Sequence, residues 1–277
     1  MKEREYMNFI DMHTHSTASD GLYTPSALVD YAIEKGLSGI AITDHDTIDG
    51  IEEAIKRATQ YNGFIIVPGI ELSAEYNNEE VHILGYMIDY KMESFKDILK
   101  NLQERRNDRA RKIIKKLNTI GFDINYEDIL GITQKGAIGR PHIARILVAK
   151  GYVKNNEEAF EKHLVKGCPA YVPREKLSPE DAIDIIKMSG GFSVIAHPGL
   201  LNAKATLDYL LGLNIDGIEV YHSDHTLDMS KEYLEIAKKN NLLITGGSDF
   251  HFPPSSSNHH GDLASIKIPL KNIQQIF

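Results

Sequence analysis

One cysteine, Cys168, is all the sequence holds. No internal disulfide can form, and thiolate ligation of a metal is disfavoured. Equally absent is any apolar run near the roughly 18 residues that span a bilayer. The opening MKEREYMN carries two acids and lacks the apolar stretch of a secretory signal. These absences point to a cytoplasmic protein without membrane anchorage. Nor is there an excess of positive charge. The formal net charge is −8, which argues against a general nucleic-acid coat protein. It leaves room for a small phosphorylated substrate, because bound divalent cations would reverse the local sign of charge. No internal repeat, no low-complexity tract beyond SSSNHH at 255–260 and no obligate protein partner is evident.

What is present is ordinary globular material, 277 residues with 42% hydrophobic and 25% charged side chains. That is enough for a sizeable core in one or two domains. Apolar strand-like runs alternate with helical segments. FIDMH precedes a helix over about 25–35, for which Thr24 is the cap, Pro25 the first turn and Gly36 the stop. GIAIT precedes a helix opening at Asp49, with Glu52 as a capping-box partner. FIIVPGIEL, VHILGYMI, FSVIAHP, GIEVYH and LLITGGSDFH complete seven main strands, and Ser178, Pro179 and Asp181 mark a further helix start. A repeated βα pattern predicts an α/β protein with a mainly parallel sheet or barrel. Residues 92–172 break the rhythm and read as helix, a subdomain inserted between barrel segments 1–91 and 173–277.

Histidines and acids collect at the strand ends. His13 and His15 share one face of a strand, since side chains alternate. Asp20 follows; His45 lies in TDHD, Glu71 in PGIELS, His82 at the start of VHILGY, His197 in IAHPG, and Asp249 and His251 in GGSDFH. Most sit at the C-terminal end of an apolar strand, where parallel barrels gather functional groups. Any one of them could be an ordinary loop residue, but the same placement recurs in nearly every βα unit. Nine ligands exceed the needs of one ion and suit two or three, with bridging carboxylates. Mixed His and carboxylate donors fit Mn²⁺, Fe²⁺ or Zn²⁺ better than Mg²⁺ or Ca²⁺. His163, His259 and His260 read as solvated. His222 and His225, in YHSDHT, stay open between loop and site.

The motifs HTHSTASD, TDHD, GIELS, AHPG and GSDFH, in that order, resemble the PHP (polymerase and histidinol phosphatase) family over the whole chain. The resemblance implies a distorted (β/α)7 TIM-like barrel with a two- or three-metal site, its ligands being His13, His15, Asp20, His45, Glu71, His82, His197, Asp249 and His251. Asp20, at a third-metal position that is often His, and the helical insertion are similar to the branch acting on nucleoside 3′,5′-bisphosphates and RNA 5′ ends.

The insertion adds its own signal. ILKNLQERRNDRARKIIKKL at 98–117 is amphipathic, with Leu99, Leu102, Ala110, Ile113 and Leu117 on one stripe. Arg106 falls inside that stripe and Arg109 at its edge, where a guanidinium needs an anion or a route to water. Residues 96–116 hold nine Lys/Arg against three Asp/Glu. Arg111, Lys112, Lys115 and Lys116 read as a solvated face, while Arg106, Arg109 and, beside them, Arg105 are candidates for phosphate binding. GRPHIAR at 139–145 supplies Arg140, the free N–H groups of a helix start and His142 for a second anchor.

The expected reaction is hydrolysis of a phosphate monoester by metal-activated water, with no protein nucleophile and no recognisable triad. The resemblance implies the 3′-phosphate of a nucleoside 3′,5′-bisphosphate as target, with 5′→3′ trimming of short RNA at the same site. Rival readings are a histidinol-phosphate phosphatase, which needs no clamp for a second phosphate, and a proofreading nuclease, disfavoured because no polymerase region accompanies the motifs. A non-catalytic, metal-stabilised binding module belongs to another class. Missing ligands would mark it, and none of the nine is missing. Tyr76, Tyr86 and Phe252 read as packing residues before base-stacking ones.

Overall fold

The computed structural model describes residues 8–131, 138–173, 177–253, 261–273 and 276. His259 and His260 lie outside these. The barrel strands are β1 (Phe9–Asp11), β2 (Gly39–Ile42), β3 (Ile65–Tyr76), β4 (Glu79–Tyr86), β5 (Phe192–Ile195), β6 (Gly217–His222), β7 (Leu243–Gly247) and β8 (Ile268–Pro269). They form one sheet in the order β7-β6-β5-β4-β3-β2-β1-β8. The two ends of that order meet. The Met12 N–H donates to the Gly246 carbonyl at 3.2 Å and the His15 N–H to the Phe250 carbonyl at 2.9 Å, and Thr14 bridges Phe250 in parallel. The result is a nearly closed barrel.

The seven expected strands are present, and β8 adds a two-residue antiparallel partner to β1. The departure from a regular (β/α) barrel lies at β3 and β4, which form an antiparallel hairpin of eight paired positions. β4 therefore runs backwards, and its beginning lies at the rim where the other strands end. This is why His82, near the start of its strand and paired with Ser73, shares that rim with side chains near the ends of the others.

Helices α1 (Pro25–Glu34), α2 (Ile51–Ala58), α7 (Pro179–Met188), α8 (Lys204–Leu211) and α9 (Leu227–Asn240) accompany the strands. Thr24 caps α1 through its side chain, Gly36 has a positive φ of 77°, and Ser178 with Asp181 forms a capping box on α7. The α2 start differs from expectation. Gly50 is the N-cap, with no side-chain cap, because the Thr47 hydroxyl already takes the Asp49 N–H at 3.2 Å. A Cβ at Gly50 would lie 2.7 Å from Asp44 Oδ2, so the turn is pressed against the rim.

The central stretch forms α3 (Glu93–Thr119), α4 (Tyr126–Leu130), α5 (Arg140–Ala149), α6 (Asn156–Ala159) and a π-turn at Phe160–Leu164. Helix α3, about 40 Å long at 1.5 Å per residue, joins two cores. Phe95 and Leu99 pack into the barrel cluster with Ile183 and Ile186. Ala110, Ile113, Ile114 and Leu117 pack with Ile143, Leu147 and Leu164 in a separate cluster. Arg111, Lys112, Lys115 and Lys116 are exposed, as expected of a solvated face. His163, read as solvated, is instead half-buried with its ring edge-on to Phe122 at 4.8 Å. An imidazole on an amphipathic turn packs its carbon edge as an aromatic does.

Barrel closure leaves no room at Gly247, where a Cβ would lie 2.3 Å from His13 Cβ. Gly247→Ala is expected to cost about 3 kcal/mol or more in urea unfolding, through overpacking and backbone shift. Gly36→Ala, with nothing within 4 Å, should cost only the left-handed backbone term of about 1 kcal/mol. Equal losses would contradict the closure.

Candidate metal centre

The chain after β1 aims its side chains alternately. Thr14 points away from the rim groups, its hydroxyl donating to the Ala41 carbonyl at 2.6 Å and its N–H to Thr43 Oγ1 at 3.0 Å. His13 and His15 therefore face inward together, ring centroids 5.2 Å apart. Asp44 ties this loop to the loop after β2, accepting from the Ser16 N–H at 2.7 Å, the Ser16 hydroxyl at 2.8 Å and the Ser19 hydroxyl at 2.6 Å. Asp11, beneath them, accepts from the N–H groups of His13, Ser248 and Ala264. Burial still pushes its carboxyl up to about 6.

Glu71 is the hub. Its side chain is 1% exposed. Its Oε2 lies 3.4 Å from His13 Nε2, 3.3 Å from His15 Nε2 and 3.0 Å from His45 Nδ1; its Oε1 lies 2.8 Å from His82 Nδ1 and 3.0 Å from His197 Nε2. Asp249 Oδ1 lies 3.3 Å from His13 Nε2 and 3.0 Å from His15 Nε2. Asp20 Oδ1 lies 3.2 Å from His251 Nε2. All nine strand-end residues singled out in the sequence thus meet in one place.

Hydrogen bonds join only some of these atoms, His197 Nε2 to Glu71 Oε1 at 3.0 Å and His82 Nδ1 to His197 Nε2 at 3.2 Å. His13 Nε2, both nitrogens of His15, His45 Nδ1, His82 Nε2 and one oxygen each of Asp20, Glu71 and Asp249 are buried without a partner in hydrogen-bond geometry. Donor atoms this close, aimed at shared points and not at one another, fit cations placed among them. Four overlapping groups each bring their donor atoms within 4.8 Å of one another: His13, His15, Glu71 and Asp249; His45, Glu71 and His82; His15, Asp20, His45 and His251; and His13, Glu219 and His222. The rim backbone is also strained. Asp46 and Asp249 have φ of 53° and His197 has 27°, values that non-glycine residues hold only where surrounding structure imposes them.

A sequence model described as the PHP domain matches residues 11–245. The chain belongs to the PHP family. Over 259 residues it is 35% identical to the 5′-3′ exoribonuclease Rnm of Escherichia coli, covering 91% of this chain and 88% of that one. Over 270 residues it is 35% identical to the 3′,5′-nucleoside bisphosphate phosphatase of Chromobacterium violaceum, covering 94% of each. Among solved structures, a metal-dependent phosphoesterase from Bifidobacterium adolescentis superposes with a TM-score of 0.85 at 30% identity, over 96% of this chain and 94% of that one. The protein is a metal-dependent phosphoesterase with a histidine-rich cluster capable of holding metal ions.

Several residues of this PHP site escape strand-end reading. Glu219, fully buried in mid-β6, lies 3.1 Å from His13 Nδ1, whose proton it can accept, and takes the His197 N–H at 2.8 Å. It fixes the tautomer that leaves His13 Nε2 free for a cation. The signal was available: an acid inside the apolar run GIEVYH. His222, left open in the sequence, accepts the Asp224 N–H on Nδ1 at 3.1 Å and brings Nε2 to 3.5 Å from Asp249 Oδ2. His225 supports the loop instead, donating to the Val220 carbonyl and accepting the Gly199 N–H. Tyr86 donates to the Met12 carbonyl and Tyr76 stacks on Tyr209, both away from the mouth.

A cavity of about 300 Å³ opens above the cluster, lined by His45, His82, His197 and Asp249 on one side and by Arg106, Arg109 and Arg140 on the other. Arg106 pairs with Asp46, Arg109 donates to the Val172 carbonyl at 2.9 Å, and Arg140 donates to Glu80 Oε2 at 2.8 Å. Arg105 is exposed and borders a smaller adjoining cavity with Arg106 and Arg109. His142 departs from expectation. Its ring is buried, its Nδ1 accepts the Gly139 N–H at 3.0 Å and its other side meets the Ser19 carbonyl. Burial lowers its pKa to about 4, so it is neutral, already bonded and absent from the cavity wall.

Burial disfavours charge on His13, His15, His45, His82 and His197, but Asp249 and Glu71 outweigh it for His15, and Glu71 with Glu80 for His82, raising both to about 10. The metal-free site therefore carries protons that a cation must displace. Mn²⁺ added to chelator-stripped protein at about pH 7 should release protons, and its apparent affinity should rise from about pH 6 to about pH 8. Calorimetry in buffers of different ionisation enthalpy reads both; an affinity flat across that window would contradict the assignment. By the same sign, the His15 proton stabilises the metal-free fold below pH 6.5, a contribution lost as pH rises through about 10.

Proposed function

We propose that the protein removes the 3′-phosphate of nucleoside 3′,5′-bisphosphates, and that the same site trims short RNA from its 5′ end. The single observation behind this reading is the shared cavity: a cation-binding floor facing three arginines across about 300 Å³. A phosphate monoester needs the floor alone. A substrate with a second phosphate also uses the arginines.

In this reading His13, His15, Glu71 and Asp249 would hold one cation, Glu71, His82 and His197 a second, and Asp20, His45 and His251 a third. Glu71 would contribute to the first two, its Oε2 facing His13 and His15 and its Oε1 facing His82 and His197. Mn²⁺, Fe²⁺ or Zn²⁺, once bound, would polarise the phosphate oxygens and lower the pKa of water, so no serine or cysteine nucleophile is required. Arg106, Arg109 and Arg140 hold the phosphate that is not cleaved, presenting planar donors to its oxygens. Arg105 adds charge from the adjoining cavity. His142 acts indirectly, by receiving the Gly139 N–H beside Arg140. The described residues of the 92–172 segment would cap the barrel mouth, carrying all three clamp arginines. Among the described residues no helix is long and apolar enough to cross a membrane; with a lone cysteine, a cytoplasmic enzyme acting on small phosphorylated nucleotides fits.

The test compares adenosine 3′,5′-bisphosphate, histidinol phosphate and a short 5′-phosphorylated RNA, each with Mn²⁺. The bisphosphate should be hydrolysed with the highest kcat/KM, and preference for histidinol phosphate would overturn the reading. Arg106→Ala should lower kcat/KM on the bisphosphate by roughly 10- to 100-fold, the worth of one charge-assisted contact. On an aryl phosphate the change should stay within about threefold. Equal losses on both substrates would remove Arg106 from the clamp.

A further inference from the structure

Asp20 differs from the other rim acids in how it is held. Glu71 sits inside β3, and Asp249 follows β7 directly. Asp20 sits in a loop whose own bonds, Ser19 N–H and Gly21 N–H to the Ser16 carbonyl at 3.1 and 2.9 Å, close a turn around it. The Ser19 and Asp20 carbonyls are met from outside, by α5. Arg145 donates its guanidinium to the Asp20 carbonyl, and the His142 ring, three residues earlier on the same face of α5, meets the Ser19 carbonyl. Residues 125 positions apart in the chain are thus joined at the peptide that aims the Asp20 carboxylate.

We propose that Arg145 is the positioning residue through which the helical insertion sets the affinity of the third cation position, formed by Asp20, His45 and His251. The proposal rests on the reading of that group as a cation site. Geometry and charge make opposite demands here. Arg145 is a cation close to Asp20, so by Coulomb's law alone its removal would tighten a metal at that site. As the group that fixes the Asp20 peptide, its removal would loosen the carboxylate and weaken the metal, as loss of an outer hydrogen-bond partner does. The partly buried bond to a neutral carbonyl favours the second effect. It uses the planar fork, which a lysine ammonium does not reproduce. Arg140, a clamp residue, begins the same helix. Docking of α5 therefore places the phosphate anchor and completes the third cation position together, and each should strengthen the other.

The experiment is Mn²⁺ binding to the full chain by equilibrium dialysis with elemental analysis, for the wild type, Arg145→Gln and Arg145→Lys. The wild type should bind three ions. Arg145→Gln should bind two with unchanged affinity and the third about 10- to 100-fold more weakly. Arg145→Lys, which keeps the charge, should also lose affinity for the third ion alone. The two retained ions serve as the folding control, and if Arg145→Gln does not fold, Arg145→Lys carries the same measurement. Three ions in the wild type with an unchanged or tighter third ion in the variants would overturn the proposal alone. Two or fewer ions in the wild type would overturn the three-cation reading and the proposal with it.

Discussion

Glu71 is a buried carboxylate with five imidazoles within 2.8–3.4 Å of its two oxygens. A lone carboxylate so placed would cost several kcal/mol in lost hydration. Five neutral rings cannot all turn an N–H toward two oxygens, and five charged rings would repel one another. Divalent cations between carboxylate and rings satisfy both sets of atoms at once. The rest of the structure can be understood as what is needed to hold that arrangement together.

Holding it takes unusual backbone. The reversed strand β4 delivers His82 to a rim that a parallel strand would have left at the far end. Positive φ values at Asp46, His197 and Asp249 turn the chain in the loops that follow β2, β5 and β7. Gly247 lets β7 approach His13 closely enough to bring His13 and Asp249 together. Outer acids then fix the rings: Glu219 holds His13 by its far nitrogen, and Asp44 binds the first loop to the second. Charge on the insertion works the other way. Arg106 pairs with Asp46, Arg140 with Glu80, and Arg109 with the Val172 carbonyl.

Much of this was legible before any coordinates. Most of the nine residues were readable because they lie at or just beyond the end of an apolar run, and strand ends in a βα chain share one rim. The helices α3 to α6 were readable because the sequence period changed from strand to helix. Glu219 was legible in principle, as an acid inside GIEVYH. The role of His142 was not, because GRPHIAR reads equally well with the ring turned outward to an anion or inward to a carbonyl. Arg145 was invisible for the same reason: its partner is a backbone carbonyl, which leaves no trace in side-chain pattern. The α2 cap was missed because the Thr47 hydroxyl competes for the Asp49 N–H, a local choice that spacing rules do not resolve.

The central claim is that buried acids and imidazoles persist side by side because cations lie between them. Anomalous diffraction from crystals grown with Mn²⁺ tests it most directly. The account predicts strong peaks on both sides of Glu71, one among His13, His15 and Asp249 and one beside His82 and His197. Well-ordered crystals in which these side chains pair only with one another and with water, and no peak rises near Glu71, would contradict it.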